Sequence, residues 1–92
     1  MTLDELRIAI DSIDNEIAPL LARRMDLAAQ VAGAKRESGA PILQPAREQA
    51  ILERLSGQVD AQYQPALQAV YEAILRASRA YQEECQQLKV LP

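Results

Sequence analysis

With 92 residues and a formal charge of −3, the chain has room for one small domain, residues 1–92, and lacks the basic surface of a nucleic-acid binder. It has no histidine and a single cysteine, Cys85, which excludes a His-based triad, an intrachain disulfide and, in practice, a four-ligand zinc site. Apolar residues make up 49% of the chain yet Phe and Trp are absent, so Ala, Leu, Ile and Val must build the core, a composition suited to closely packed helices.

Met1 leads directly into a polar, capped helix. There is no basic leader with an apolar core, and no apolar run of ~18 residues that would span a bilayer. Together with the unpaired cysteine this reads as a soluble, cytoplasmic protein with no membrane partner. Cys85 itself, late in an amphipathic pattern, reads as a small apolar core residue.

The first helix starts near Thr2. Thr2 and Glu5 have capping-box spacing, and Asp4 and Glu5 suit the positive end of the helix dipole. Apolar residues then recur at Leu3, Leu6, Ile10, Ile13, Ile17, Leu20, Leu27, Val31 and Ala34, the three-four step of one helical stripe. The stripe keeps phase through Pro19, which predicts one helix bent at that residue rather than two. It runs to about Lys35, and Ser38-Gly39 offers a stop. At ~1.5 Å per residue such a helix is roughly 50 Å long.

Pro41 and Pro45 bracket a short loop. Pro45 is placed as a first-turn residue of a second helix, about 45 to 56, whose inward side is Arg47, Glu48, Ile51, Leu52 and Leu55. Gly57 ends it, and a linker runs through about Gln62. Pro65 then sits in the first turn of a third helix reaching about Leu88, with the stripe Leu67, Val70, Tyr71, Ile74, Leu75, Ser78, Tyr81, Cys85 and Leu88. The fold class expected is all-α, with long, short and long helices. A first helix of ~50 Å exceeds a compact globule of this length, whose radius of gyration is roughly 12 Å, so it is expected to pair along its length with a second copy in an intertwined homodimer.

Polar residues interrupt the apolar faces. The stripe of the first helix predicts an apolar residue at position 24, and the sequence has Arg24. A guanidinium cannot be deprotonated in a protein, so Arg24 either snorkels outward or meets an anion. Lys35 lies eleven residues on, only ~20° round the helix and ~16 Å along it, so both cations leave one face. Taken alone, Lys35 also reads as a helix C-terminal charge. Arg47 and Glu48 open the second helix where it folds back over the first, and Ser78 and Gln82 lie one turn apart on the inner face of the third. Arg23, Arg36, Arg54, Arg76 and Arg79 read as solvent-facing. Arg7 is seventeen residues before Arg24, ~25 Å away, and reaches a site there only from an antiparallel partner chain. The set suits a small molecule with separated negative groups.

These segments are similar to the all-helical (AroQ-class) chorismate mutases from residue 3 to about 85. LRIAIDSIDNEIAPLLARRMDLAAQVAGAK resembles that family's first-helix signature, PAREQAILERL its second, and the Ser78-to-Gln82 spacing in ILRASRAYQ its third. The resemblance implies a homodimer with two equivalent sites, each lined by both chains, that converts chorismate to prephenate in the biosynthesis of Phe and Tyr. It implies that Arg7 reaches a substrate carboxylate in the partner's site, that Arg24 binds a carboxylate within its own chain, and that Lys35 contacts a carboxylate and the ether oxygen. Arg47 would balance charge, Glu48 would accept from the ring hydroxyl, Ser78 would help hold a carboxylate, and Gln82 would donate to the ether oxygen. Gln44 departs from the pattern, standing where well-known members carry an acid; it accepts through its amide oxygen but adds no charge. Neither a cofactor nor a metal is implied, because the rearrangement is pericyclic.

Three other readings stay open. Isochorismate pyruvate lyases resemble the same segments, including IDSID and RRMD, but Glu48 favours the mutase. A mutase for 4-amino-4-deoxychorismate is kept open by Gln44. A non-catalytic helical dimer would explain the stripes and the short length but not Lys35 with Gln82. No added segment suggests a second domain, so a monofunctional enzyme without built-in feedback is expected.

Overall fold

The computed structural model of the chain describes residues 1–88. They form three α-helices, α1 (Leu3–Ser38), α2 (Pro45–Ser56) and α3 (Gln64–Leu88), with a 3-10 turn at Ala61–Tyr63 before α3 and no strand among the described residues. The helix boundaries follow the sequence signals closely. Thr2 caps α1 through a complete capping box: its hydroxyl accepts from the Glu5 N–H at 3.1 Å while Glu5 accepts from the Thr2 N–H at 3.4 Å. Pro19 lies inside α1, which continues through it as a single helix. The 36 residues at ~1.5 Å each give ~54 Å, which is the longest dimension of the molecule, 54 Å.

Gly39 ends α1 at φ 74°, a conformation that costs other residues ~1–2 kcal/mol. Its N–H reaches Arg36 O at 3.4 Å and the Ala40 N–H reaches Lys35 O at 2.9 Å, a Schellman-type closure that fixes the turn directly after Lys35. Pro45 opens α2, as its missing N–H and fixed φ allow. The linker between α2 and α3 is more ordered than its composition suggests. Its 3-10 turn forms as the Tyr63 N–H donates to Asp60 O at 2.9 Å, and Gln64 Nε2 ties back to Ser56 O at 2.8 Å.

α3 packs against both α1 and α2. Its far end is bound to α1 by Gln86, whose amide donates to Ala32 O at 3.0 Å and whose carbonyl accepts from Arg36 at 3.2 Å. Where the helices meet, the buried apolar side chains are Ala28 and Ala32 of α1, Ile51 of α2 and Leu75 of α3. The alanines allow close approach of α1 and α3. This small core leaves the α1 stripe uncovered in the single chain: Leu3, Ile10 and Leu20 are 62%, 56% and 56% exposed. The radius of gyration is 16.5 Å against roughly 12 Å for a compact domain of this length. The described chain is elongated, and the apolar stripe of α1 lies on its outside.

Candidate functional site

A pocket of about 320 Å³ opens between the second half of α1, the α1–α2 loop, the start of α2 and the middle of α3. That volume is at the lower end for small-molecule sites, ~300–1,000 Å³. α1 supplies Arg24 and Lys35, three turns apart on one face; α2 supplies Arg47, Glu48 and Ile51. α3 supplies Leu75, Ser78, Arg79 and Gln82, and the loop supplies Ile42 and Gln44. Four cations and one acid line a pocket in a chain whose overall charge is −3. The positive potential is therefore local, and the pocket favours an anion.

The floor of the pocket is a hydrogen-bonded chain. Lys35 Nζ donates to Ile42 O at 2.7 Å and to Gln82 Oε1 at 2.8 Å, and Gln82 Nε2 donates to Ser78 Oγ at 3.1 Å. The ammonium beside Oε1 sets which way the Gln82 amide faces, since the reverse would put two donors in contact. Ser78 and Gln82 are 5% and 6% exposed, so their pairing avoids the cost of burying an unsatisfied polar group. An ammonium has three protons and a primary amide two. Two of the first and one of the second are engaged here, which leaves each group one N–H for a ligand. Burial pushes the Lys35 pKa below its ordinary value, and the nearby Glu48 charge opposes that shift in part.

Seven of the eight residues named from the sequence line this pocket: Arg24, Lys35, Gln44, Arg47, Glu48, Ser78 and Gln82. Arg24 is half-buried, while Arg47, expected on the inward side of α2, is largely exposed at the pocket rim. Pro45 turns the chain there, so the first turn of α2 stands at the mouth. Gln44 donates to Pro41 O at 2.9 Å, bracing the loop instead of capping α2. Arg7 is not among them. It is exposed near the other end of α1, paired with Asp4 at 4.0 Å. Its own fold holds it away from the pocket, as the helical rise requires.

Arg79 departs from the sequence expectation. Expected to face solvent, it is half-buried, lines the pocket and forms a hydrogen-bonded ion pair with Glu48. The available signal was Glu48 itself: an acid on the inner side of α2 needs a cation from a neighbouring helix.

The chain matches the model of the family described as chorismate mutase type II over residues 6–83. It belongs to the type II chorismate mutase family. The match takes in every named pocket residue and also Arg7. A crystal structure of chorismate mutase from Helicobacter pylori in complex with prephenate is similar at TM-score 0.80 and 40% identity, covering 98% of this chain and 97% of that one. The chorismate mutase of Methanocaldococcus jannaschii is 47% identical over 53 residues, which are 58% of this chain and 54% of that protein. The T-protein of Haemophilus influenzae is 45% identical over 51 residues, 55% of this chain and 14% of its own length. The matched stretches thus span about half or less of these curated relatives. The three-helix order and the all-helical pocket agree with the architecture expected from the sequence.

Proposed function

We propose that this chain catalyses the rearrangement of chorismate to prephenate, working in the cytoplasm as an intertwined homodimer. The observation that carries the reading is the Lys35–Gln82–Ser78 chain at the floor of a cationic pocket. Chorismate is a dianion, and its rearrangement breaks one C–O bond and forms one C–C bond within a single molecule, without an added nucleophile or proton transfer. Two contributions suffice. Arg24 and Lys35 bind the carboxylates, with Arg47 adding to the positive potential, and hold the enolpyruvyl group over the ring, the orientation contribution. The free N–H groups of Lys35 and Gln82 point at the ether oxygen, where negative charge grows as the C–O bond breaks. Glu48 accepts from the ring hydroxyl, and Gln44 stands beside it as a neutral acceptor.

The homodimer is supported by the exposed α1 stripe. Covering Leu3, Leu6, Ile10, Ile13, Ile17 and Leu20 would contribute on the order of 5–10 kcal/mol. An antiparallel copy would also bring Arg7 to the partner's pocket, where it would bind a second carboxylate.

The test is loss of chorismate absorbance with identification of the product. Formation of prephenate establishes the reaction. Turnover of isochorismate to pyruvate and salicylate instead would assign a lyase, and no turnover of either by the folded protein would refute the enzyme reading for these substrates.

A further inference from the structure

We infer that Arg79 is a positioning residue of the pocket: it clamps Glu48 as a charge-balanced acceptor, so that this wall selects a neutral hydroxyl over an ammonium group. The inference rests on the reading of the pocket as a chorismate site.

Glu48 is in the first turn of α2 and Arg79 on the facing side of α3. The guanidinium Nη1 donates to Glu48 Oε1, and the side chains are 28% and 20% exposed. The pair is therefore shielded enough from solvent for the geometry to persist. The bond occupies Oε1 and leaves Oε2 for a ligand. Without Arg79, a glutamate with three free torsions has three other cations within the same lining, Arg24, Lys35 and Arg47. Swinging toward Lys35 would consume the proton that the ammonium otherwise offers to the substrate. Clamping Glu48 thus protects the donor as well as the acceptor.

The clamp also sets what the wall accepts. A ring hydroxyl needs only an oxygen to donate to. An ammonium gains chiefly from an uncompensated carboxylate, and here the carboxylate is already matched by Arg79. Gln44 supplies no second acid. The neutral residue at 44, read alone, left the amino analogue open; the Arg79–Glu48 pair decides for the hydroxyl.

The experiment compares wild type, Arg79→Met, Glu48→Gln and the double variant. Met keeps the aliphatic stem of Arg79; Arg79→Gln replaces it if that protein does not fold. The readouts are kcat/KM for chorismate, the inhibition constant of 4-amino-4-deoxychorismate in the same assay, and Tm. Arg79→Met is expected to lower kcat/KM about tenfold and to tighten the amino analogue relative to chorismate by about tenfold. In the Glu48→Gln background the loss of Arg79 should change kcat/KM less than about threefold, since its effect passes through Glu48. Independent, multiplying losses would show that Arg79 acts on the substrate directly and overturn the inference. Equal losses for both ligands would reduce Arg79 to a structural residue and overturn it too. A folded wild type that turns over no chorismate would overturn the proposed function and this inference together, whereas turnover with unshifted discrimination refutes Arg79 alone.

Discussion

Replacing Lys35 by Met tests the core of the proposed mechanism, because it removes the ammonium while keeping most of the stem. Two protein contacts disappear, the bonds to Ile42 O at 2.7 Å and Gln82 Oε1 at 2.8 Å. Leaving buried Gln82 Oε1 unpaired costs about 1–3 kcal/mol. Part of that is offset, because burial already disfavours the charged lysine. The protein should therefore stay folded, with its helical circular dichroism retained and Tm lowered by several degrees at most. Activity should respond far more. Losing one donor aimed at a developing oxyanion costs about 10²–10³ in kcat, or ~2.7–4 kcal/mol. Loss of a cation that binds the dianion should raise KM as well. The assay is initial-rate chorismate consumption over a substrate series, beside a thermal melt of the same preparation. A folded Lys35→Met protein that keeps more than about a tenth of wild-type kcat would refute the donor role and with it the account of how this pocket accelerates the reaction.

The lowered Lys35 pKa predicts an alkaline limb in kcat/KM below the ordinary lysine value of 10.5, since the reaction needs the protonated form and loses it as pH rises. A bound dianion favours the cation, so the limb in kcat should lie at higher pH; coincident limbs, or none in Lys35-containing enzyme, would contradict this. The same shift makes charged Lys35 a cost to folding that is relieved as pH rises from its lowered value toward 10.5, so the stability lost on Lys35→Met should be larger at pH 10 than at pH 7. Arg7→Ala and Lys35→Ala should each be nearly inactive alone. Mixed and allowed to exchange subunits, they should regain about a quarter of wild-type activity, because half the dimers would be mixed and each would hold one intact site; no recovery despite demonstrated exchange would place Arg7 outside the partner's pocket. Thr2→Ala should lower stability by about 1 kcal/mol through loss of the α1 cap, with kcat unchanged, as read by chemical denaturation.

Much of this fold is written in local rules. Capping at Thr2, the positive φ at Gly39 and the proline opening α2 each act within one turn, and so each is legible without knowing what packs where. Arg24, Ser78 and Gln82 were legible for a related reason: a polar group on an apolar face is visible as an interruption of period. Lys35 joined them by helical arithmetic from Arg24. The 3-10 turn at Ala61–Tyr63 left no such trace, because its order comes from contacts at its ends, Asp60 with Tyr63 and Ser56 with Gln64, rather than from a pattern of its own.

Arg79 shows where periodicity stops being informative. An arginine beside a buried serine has the helical phase of a surface residue, and its stem is long enough to cover a neighbouring helix from there. Whether it turns outward or inward depends on what the neighbour offers, and that is a fact about α2, thirty-one residues earlier in the chain. Glu48 offers a largely shielded carboxylate across from the stem of Arg79, and the guanidinium bonds to it. The energetic asymmetry favours this geometry: an exposed arginine loses little by leaving water part-way, while a largely shielded carboxylate gains a charge-assisted hydrogen bond. A pocket built to hold a dianion must collect cations, and it can carry one acid only if that acid is matched from outside the substrate. On that argument the Arg79–Glu48 pair is what lets this pocket include a specific acceptor without weakening its grip on negative charge.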